Sequence, residues 1–269
     1  MRRAFFLRVI AAIAAAFAVA AEAGLRADAP RVWETGPGYR SARLAIAPGG
    51  TNGFARILPA ASGITFTNLL PESRHLTNQI LLNGAGVAAG DVDGDGRCDL
   101  FFAGSDGRSA LFRNLGDWEF AEVTDAAGVA CAGLTATGCA LADIDGDGDL
   151  DLVVDTVGQG THLFLNDGKG RFVRAPFVLN EGKGGMSLAL GDLDGDGFLD
   201  LYIANYRTSG FMDIPNKRAT FRKINGKVEM DTLNGRSTSE PDLADRFVVG
   251  PRGNIEERGE TDLVLRNVG

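Results

Sequence analysis

Three segments of this chain spell nearly the same ten residues: Asp91-Val-Asp-Gly-Asp-Gly-Arg-Cys-Asp-Leu100, Asp143-Ile-Asp-Gly-Asp-Gly-Asp-Leu-Asp-Leu152 and Asp192-Leu-Asp-Gly-Asp-Gly-Phe-Leu-Asp-Leu201. They begin 52 and then 49 residues apart. A period near 50 implies an array of small repeated units, each too small to bury a core alone, rather than one globular core. Propeller blades and solenoid turns are the candidates.

Each segment carries carboxylates at positions 1, 3, 5 and 9 and glycine at positions 4 and 6. Four like charges within nine residues repel one another unless a cation lies between them. Hard cations such as Ca²⁺ take several anionic oxygens from a short loop whose backbone turns sharply, and glycine permits that turn. The expected ligands are therefore Asp91, Asp93, Asp95 and Asp99 in the first loop, Asp143, Asp145, Asp147 and Asp151 in the second, and Asp192, Asp194, Asp196 and Asp200 in the third. The carbonyls at position 7, on Arg97, Asp149 and Phe198, are expected to add one oxygen each. Only a backbone oxygen is asked of that position, which explains its mixture of side chains.

An EF-hand closes its loop with Glu at position 12, between two helices. Here position 12 is Phe102, Val154 and Ile203, inside the apolar runs Leu100–Phe102, Leu152–Val154 and Leu201–Ile203. These runs predict strands, so neither an EF-hand nor a dockerin-like helical module fits. Small-residue strands are expected before each loop, at Gly86–Gly90, Gly138–Ala142 and Met186–Gly191. Third strands follow at Leu111–Gly116 and Leu163–Gly168, and fourth strands at Trp118–Phe120 and Arg171–Val173. From the first Asp of the loop to the Asn of the third strand is 23 residues in both units, Asp91 to Asn114 and Asp143 to Asn166. Four short antiparallel strands per 50 residues make one propeller blade, so the expected fold class is all-β, a β-propeller incomplete in this chain.

In the third unit the corresponding Asn is Asn267, 75 residues after Asp192, which leaves an insertion at about 206–260. That segment holds ten Lys/Arg and nine Asp/Glu. With few apolar runs it is expected to be a solvent-facing excursion, containing a hairpin Phe221–Met230 on the Asn225-Gly226 turn. The chain stops where a further strand would begin, which reads as a fragment, because an orphaned blade edge invites aggregation.

Residues 1–23 have the form of a secretory signal: Arg2, Arg3 and Arg8, an apolar stretch from Val9 to Ala21, and Ala21-Glu-Ala23 as the cleavage site. That stretch is too short for a convincing membrane span. The expected product is not membrane-spanning and lies outside the cytoplasm, secreted or periplasmic/extracellular. Residues 24–62 read as a linker, with Thr51–Leu58 and Gly63–Thr67 as candidate strands of a first blade, and 63–269 as the repeat region. Without residues 1–23 the chain has 24 basic and 34 acidic residues, a net charge of −10. This balance excludes binding nucleic acid through its phosphates.

Cys98 and Cys139 stand where other copies of the unit carry Leu or Val, so both are expected to be small core residues. A Cys131–Cys139 disulfide remains open in an oxidising compartment. Neither His75 nor His162 lies in a metal-protease motif, and Ser187 lacks the second glycine of a nucleophile elbow. The chain is expected to be no enzyme.

The run Gly86-Val-Ala-Ala-Gly-Asp-Val-Asp-Gly-Asp-Gly96, with Leu111-Phe-Arg-Asn-Leu-Gly116 and Phe120–Val129, resembles the FG-GAP/VCBS repeat proteins. Integrin α subunits carry such repeats, and the run is most similar to the cartilage-acidic-protein branch, in which they often precede an ASPIC/UnbV domain. The resemblance implies a seven-bladed propeller with Ca²⁺ loops on one face, although this chain has too few units to close such a ring. The expected function is a secreted, calcium-binding, non-catalytic scaffold that binds or adheres to an unidentified extracellular protein or polysaccharide. The alternative is the propeller part, catalytic or not, of a larger extracellular enzyme.

Overall fold

The computed structural model describes residues 33–36, 39–42, 53–70, 73–74 and 78–269. The signal-like segment 1–23 lies outside them, as does most of 24–62. The chain divides into two units, Met1–Phe54 and Ala55–Gly269. The first contains one described hairpin, β1 (Trp33–Gly36) antiparallel to β2 (Tyr39–Ala42).

The second unit is built from repeated antiparallel sheets. β3 (Val87–Gly90), β4 (Asp99–Phe102), β5 (Ala110–Gly116) and β6 (Glu119–Glu122) pair in sequential order. β7 (Ala136–Ala142), β8 (Asp151–Thr156), β9 (His162–Asn166) and β10 (Phe172–Arg174) repeat the pattern. The third unit pairs β11 (Gly185–Gly191), β12 (Asp200–Asn205) and, after the insertion, β18 (Leu263–Leu265). The protein is therefore all-β, with four-stranded blades of the propeller type and no closed ring among the described residues.

Each Asp-rich segment joins the first strand of its blade to the second. The glycines at positions 4 and 6 all have positive φ, from +73° at Gly94 to +97° at Gly148. That region is closed to most side chains and open to glycine, so the motif's glycines are set by backbone geometry.

The blades pack face to face through the alternation of their middle strands. In β8, Leu152 and Val154 join Ala88, Phe101 and Leu111 of the first blade in one core, whereas Val153 joins Leu201 and Ile203 of the third in another. Every residue of β8 is buried as a result. A strand covered on both faces reads as a continuous apolar run, which is why Leu152–Val154 does not alternate with polar residues.

Several expectations are corrected. Residues 53–58 and 63–67 form no strand. Between them Pro59–Ser62 makes a single helical turn, started by a proline at its N-terminus and stopped by Gly63 at φ +74°;. Phe66 reaches the first blade by stacking on Phe102, with ring centroids 5.2 Å apart. The fourth strand of the first blade starts at Glu119, because Asp117 and Trp118 form the turn with φ of +49° and +65°. Cys98 is exposed, Cys139 is half-buried and Cys131 is buried, and all three are free thiols. Position 8 thus lies at the rim of the loop rather than in the core.

The insertion is also more than an excursion. Its β13 (Ala219–Ile224) and β14 (Lys227–Leu233) form the expected hairpin on Asn225-Gly226, and β15 (Arg236–Ser237) adds a short third strand. A second hairpin, β16 (Phe247–Val249) with β17 (Ile255–Glu257), folds against it. Met230, Leu233 and Leu243 make a small core, flanked by Phe211, Ile214, Ala219, Phe247 and Ile255. Its apolar residues come from separate short segments, so no periodic run announces the core in the sequence.

Candidate metal centres

The three loops share one hydrogen-bond pattern. The Asp at position 1 folds the loop over itself. Asp91 Oδ1 accepts the N–H of Gly94 at 2.9 Å, and its Oδ2 accepts that of Gly96 at 2.7 Å. Asp143 does the same for Gly146 and Gly148, and Asp192 for Gly195 and Gly197. At position 5, Asp95, Asp147 and Asp196 each accept the N–H two residues on, that of Arg97, Asp149 and Phe198.

Position 9 is the first residue of the second strand in each blade and is buried in all three copies. Asp99 accepts the N–H of Val92 at 3.0 Å and of Asn114 at 2.7 Å. Asp151 accepts from Ile144 at 3.0 Å and Asn166 at 2.8 Å, and Asp200 from Leu193 and Asn267, both at 2.9 Å. A carboxylate in such a place needs these bonds to stay ionised. Burial still pushes Asp99 and Asp151 above the usual carboxylate range, against the pull of the two N–H groups. At Asp200 the N–H groups of Leu193 and Asn267 outweigh burial and hold its carboxyl below that range.

In each loop the structure brings together oxygens from positions 1, 3 and 9, namely Asp91, Asp93 and Asp99; Asp143, Asp145 and Asp151; Asp192, Asp194 and Asp200. Within each trio the ligand atoms lie inside 4.8 Å of one another. Two oxygens bound to one Ca²⁺ at about 2.4 Å can be no further apart than about 4.8 Å, so the spacing suits one hard cation per loop. The donors are all oxygen, which suits the same kind of ion. Asp95, Asp147 and Asp196 are not part of the trios.

The loops differ in their cationic neighbours. In the first, Arg97 pairs with Asp95, and Arg113 lies 3.7 Å from Asp93. In the third, Arg266 pairs with both Asp194 and Asp196. No arginine pairs with an Asp of the second loop among the described residues, and there Asp149 is raised by partial desolvation and then by the neighbouring carboxylates.

Sequence reasoning took the Asn of each third strand for a turn residue. Its role is wider. Besides donating its N–H to Asp151, Asn166 sends its side-chain amide to the Leu150 carbonyl of its own loop at 3.1 Å and to the Val92 carbonyl of the preceding loop at 2.8 Å. Asn267 does likewise to Leu199 at 3.3 Å and Ile144 at 2.7 Å. The first and second Asp loops are thereby pinned to the blades that follow them. The constant 23-residue spacing was the signal that these asparagines belong to the loops.

Comparison with known proteins agrees with this geometry. The FG-GAP-like repeat profile matches residues 82–154 and 156–203. Cartilage acidic protein 1 of Xenopus tropicalis is 34% identical over 92 residues, a match that covers 33% of this chain and 14% of that protein. The chain thus spans a small part of its relative's length. No helix among the described residues is long and apolar enough to cross a membrane. Between residues 82 and 203, this chain is built of FG-GAP-like repeats.

Proposed function

We propose that this is a secreted repeat domain whose three Asp loops bind Ca²⁺, and which acts as a non-catalytic scaffold for an extracellular protein or carbohydrate. The observation that carries the metal assignment is the thrice-repeated trio of carboxylates at ion-sharing distance. Positions 1, 3 and 9 would supply the first oxygens. Asp95, Asp147 and Asp196, with the carbonyls of Arg97, Asp149 and Phe198, would supply the remainder with water.

Secretion rests on the signal-like residues 1–23. Similarity to a protein named for cartilage agrees with an extracellular location. The absence of catalysis is inferred from the side chains outside the loops. The buried His162 is held neutral, its pKa lowered by burial and by Arg174, and it has no carboxylate partner among the described residues.

Extracellular calcium modules bind at about 10⁻⁴ to 10⁻³ M. With free calcium near ten times the dissociation constant, each site contributes about 1.4 kcal/mol to stability. Melting curves from the chelated to the millimolar-calcium state test this. The melting temperature rises with calcium, and Asp145→Ala or Asp147→Ala reduces the rise by weakening one site. A melting curve indifferent to calcium contradicts the reading.

A further inference from the structure

The insertion holds a cleft of about 1120 Å³ between its two hairpins, with β14 on one side and β16 on the other. Ligand clefts typically measure about 300–1,000 Å³, so this one has room for a short peptide. Both walls are strands with one side unpaired. β15 covers β14 only at Thr232 and Leu233, which leaves Lys227–Met230 without a strand on that side, and β16 pairs with β17 alone among the described residues.

The alternation of ladder bonds shows where the unpaired groups point. Ile224 and Lys227 close a two-residue turn on Asn225 and Gly226, with φ of +49° and +82°, and so form a hydrogen-bonded pair;. The next pair, Lys223 and Val228, is then not bonded, and the N–H and C=O of Val228 face away from β13;. Met230 has the same phase, since its carbonyl points outward and accepts the Thr238 hydroxyl at 2.8 Å. On β16 the Gly250 N–H donates to Asn254, and the Arg246 carbonyl accepts from Arg258. Phe247 and Val249 lie between these bonded positions and turn their backbone groups to the open side;.

Open strand edges template pairing with another chain. Here they run beside apolar surface: Val228 is 47% exposed, and Phe221, on the same face of the hairpin, is 49% exposed. The charges of the lining nearly cancel, because Arg222 is paired with Asp231, and Lys227 and Arg258 stand against Glu229 and Asp245. Phe247 is the one ring in the lining, and it packs edge-on against Phe211. No free ring face is left for a sugar to stack on.

We propose that this cleft takes an extended, proline-free segment of a partner protein, added as a strand between β14 and β16. Its backbone bonds Val228 on one side and Phe247 and Val249 on the other, and alternate apolar side chains rest on Val228 and Met230. A strand is the occupant because two rows of unpaired N–H and C=O groups face one cleft of balanced charge. The inference deepens the scaffold reading and rests on it only for the partner being a protein. It is independent of calcium, since both walls belong to the insertion.

Two capped peptides, acetyl-Lys-Val-Thr-Val-Thr-Val-amide and the same peptide with proline for its central valine, are titrated into the ¹⁵N-labelled whole chain, in calcium and in chelator. The first peptide saturates, shifts amide signals of β14 and β16, and slows solvent exchange at Val228, Phe247 and Val249; the second does not bind. Added salt leaves the affinity nearly unchanged. Val249→Pro removes an open N–H without touching the bonds to β17 and weakens binding about tenfold, with circular dichroism to show that the fold is kept. No saturation at millimolar peptide, shifts elsewhere, equal binding of the proline peptide, or unchanged affinity in folded Val249→Pro overturns the proposal. Slowed exchange that grows with protein concentration alone assigns the cleft to a second copy and overturns it as well. A calcium-dependent melting temperature without peptide binding sinks this inference and leaves the metal reading standing.

Discussion

The side-chain amide of Asn166 donates to the carbonyl of Val92 at 2.8 Å, across 74 positions of sequence. The N–H of the same Val92 donates to Asp99. One residue thus ties the first Asp loop to its own strand and to the next blade, and Ile144 does the same between Asp151 and Asn267. Asp loop and blade packing are parts of one device, so disturbing either is expected to disturb both.

Asn166→Ala removes the bonds to Val92 and Leu150 and leaves one buried and one half-buried carbonyl without their donor. The expected loss is about 1–3 kcal/mol of unfolding free energy. Asn114→Ala, whose amide bonds to one carbonyl and is half-exposed, loses less. Denaturant unfolding of the two variants measures the difference, and equal losses would mean that the inter-blade bond contributes nothing.

Arg266 pairs with Asp194 and Asp196, so a cation entering the third loop must compete with a guanidinium already there. Arg266→Ala is expected to tighten calcium binding at that loop several-fold and to leave the second loop, without an arginine partner, unchanged. Calcium titration followed by the backbone amide signals of Gly195 and Gly146 separates the two loops. Weaker binding at the third loop in the variant would show that Arg266 orders the site rather than competing for it.

Asp155 is buried, accepts a hydrogen bond from the Thr161 hydroxyl at 2.7 Å, and is pushed up to about 6 by burial. Its folded pKa lies above its unfolded value of about 3.9, so between those values the folded protein holds the extra proton and stability falls as pH rises. The decline from pH 4 to pH 7 is worth roughly 2 kcal/mol at this group, at 1.36 kcal/mol per unit. Asp155→Asn keeps the acceptor for Thr161 and removes the charge. The variant should gain on the wild type as pH rises, and a parallel pair of pH–stability curves would contradict this.

The insertion holds its own core, and its base is closed by the repeat. Tyr206 N–H donates to Gly184, Glu260 N–H donates to Tyr206, and the Glu260 carboxylate accepts the N–H of Gly184 at 2.7 Å. Replacing residues 211–256 with a short Gly/Ser linker should leave the blades folded with a nearly unchanged melting temperature. Glu260→Ala, which opens the base, should cost about 1–3 kcal/mol. Loss of cooperative unfolding in the deletion variant would make the insertion part of the repeat core.

The blades were legible in the sequence because the second strand of each is an apolar run after the loop and all three loops need glycine at two fixed positions. The return of the third blade at Leu263–Leu265 was legible because Asn267-Val-Gly269 repeats Asn114-Leu-Gly116. The insertion's core was not, because Met230, Leu233 and Leu243 come from different elements and no periodic run unites them. Nor was the trio of positions 1, 3 and 9 separable from position 5. Spacing alone puts four carboxylates in one loop, and only the fold shows that the oxygens of positions 1, 3 and 9 come within ion-sharing distance of one another. The inter-blade bonds of Asn166 and Asn267 were not legible, because an Asn before a Gly-containing segment has the composition of an ordinary turn.

Equilibrium dialysis of the folded chain against ⁴⁵Ca, at saturating free calcium, tests most directly whether these loops are metal cages. Uptake of three ions per chain is expected, falling to two in Asp143→Ala with its β-sheet circular dichroism retained. Folded protein that takes up no calcium would contradict it.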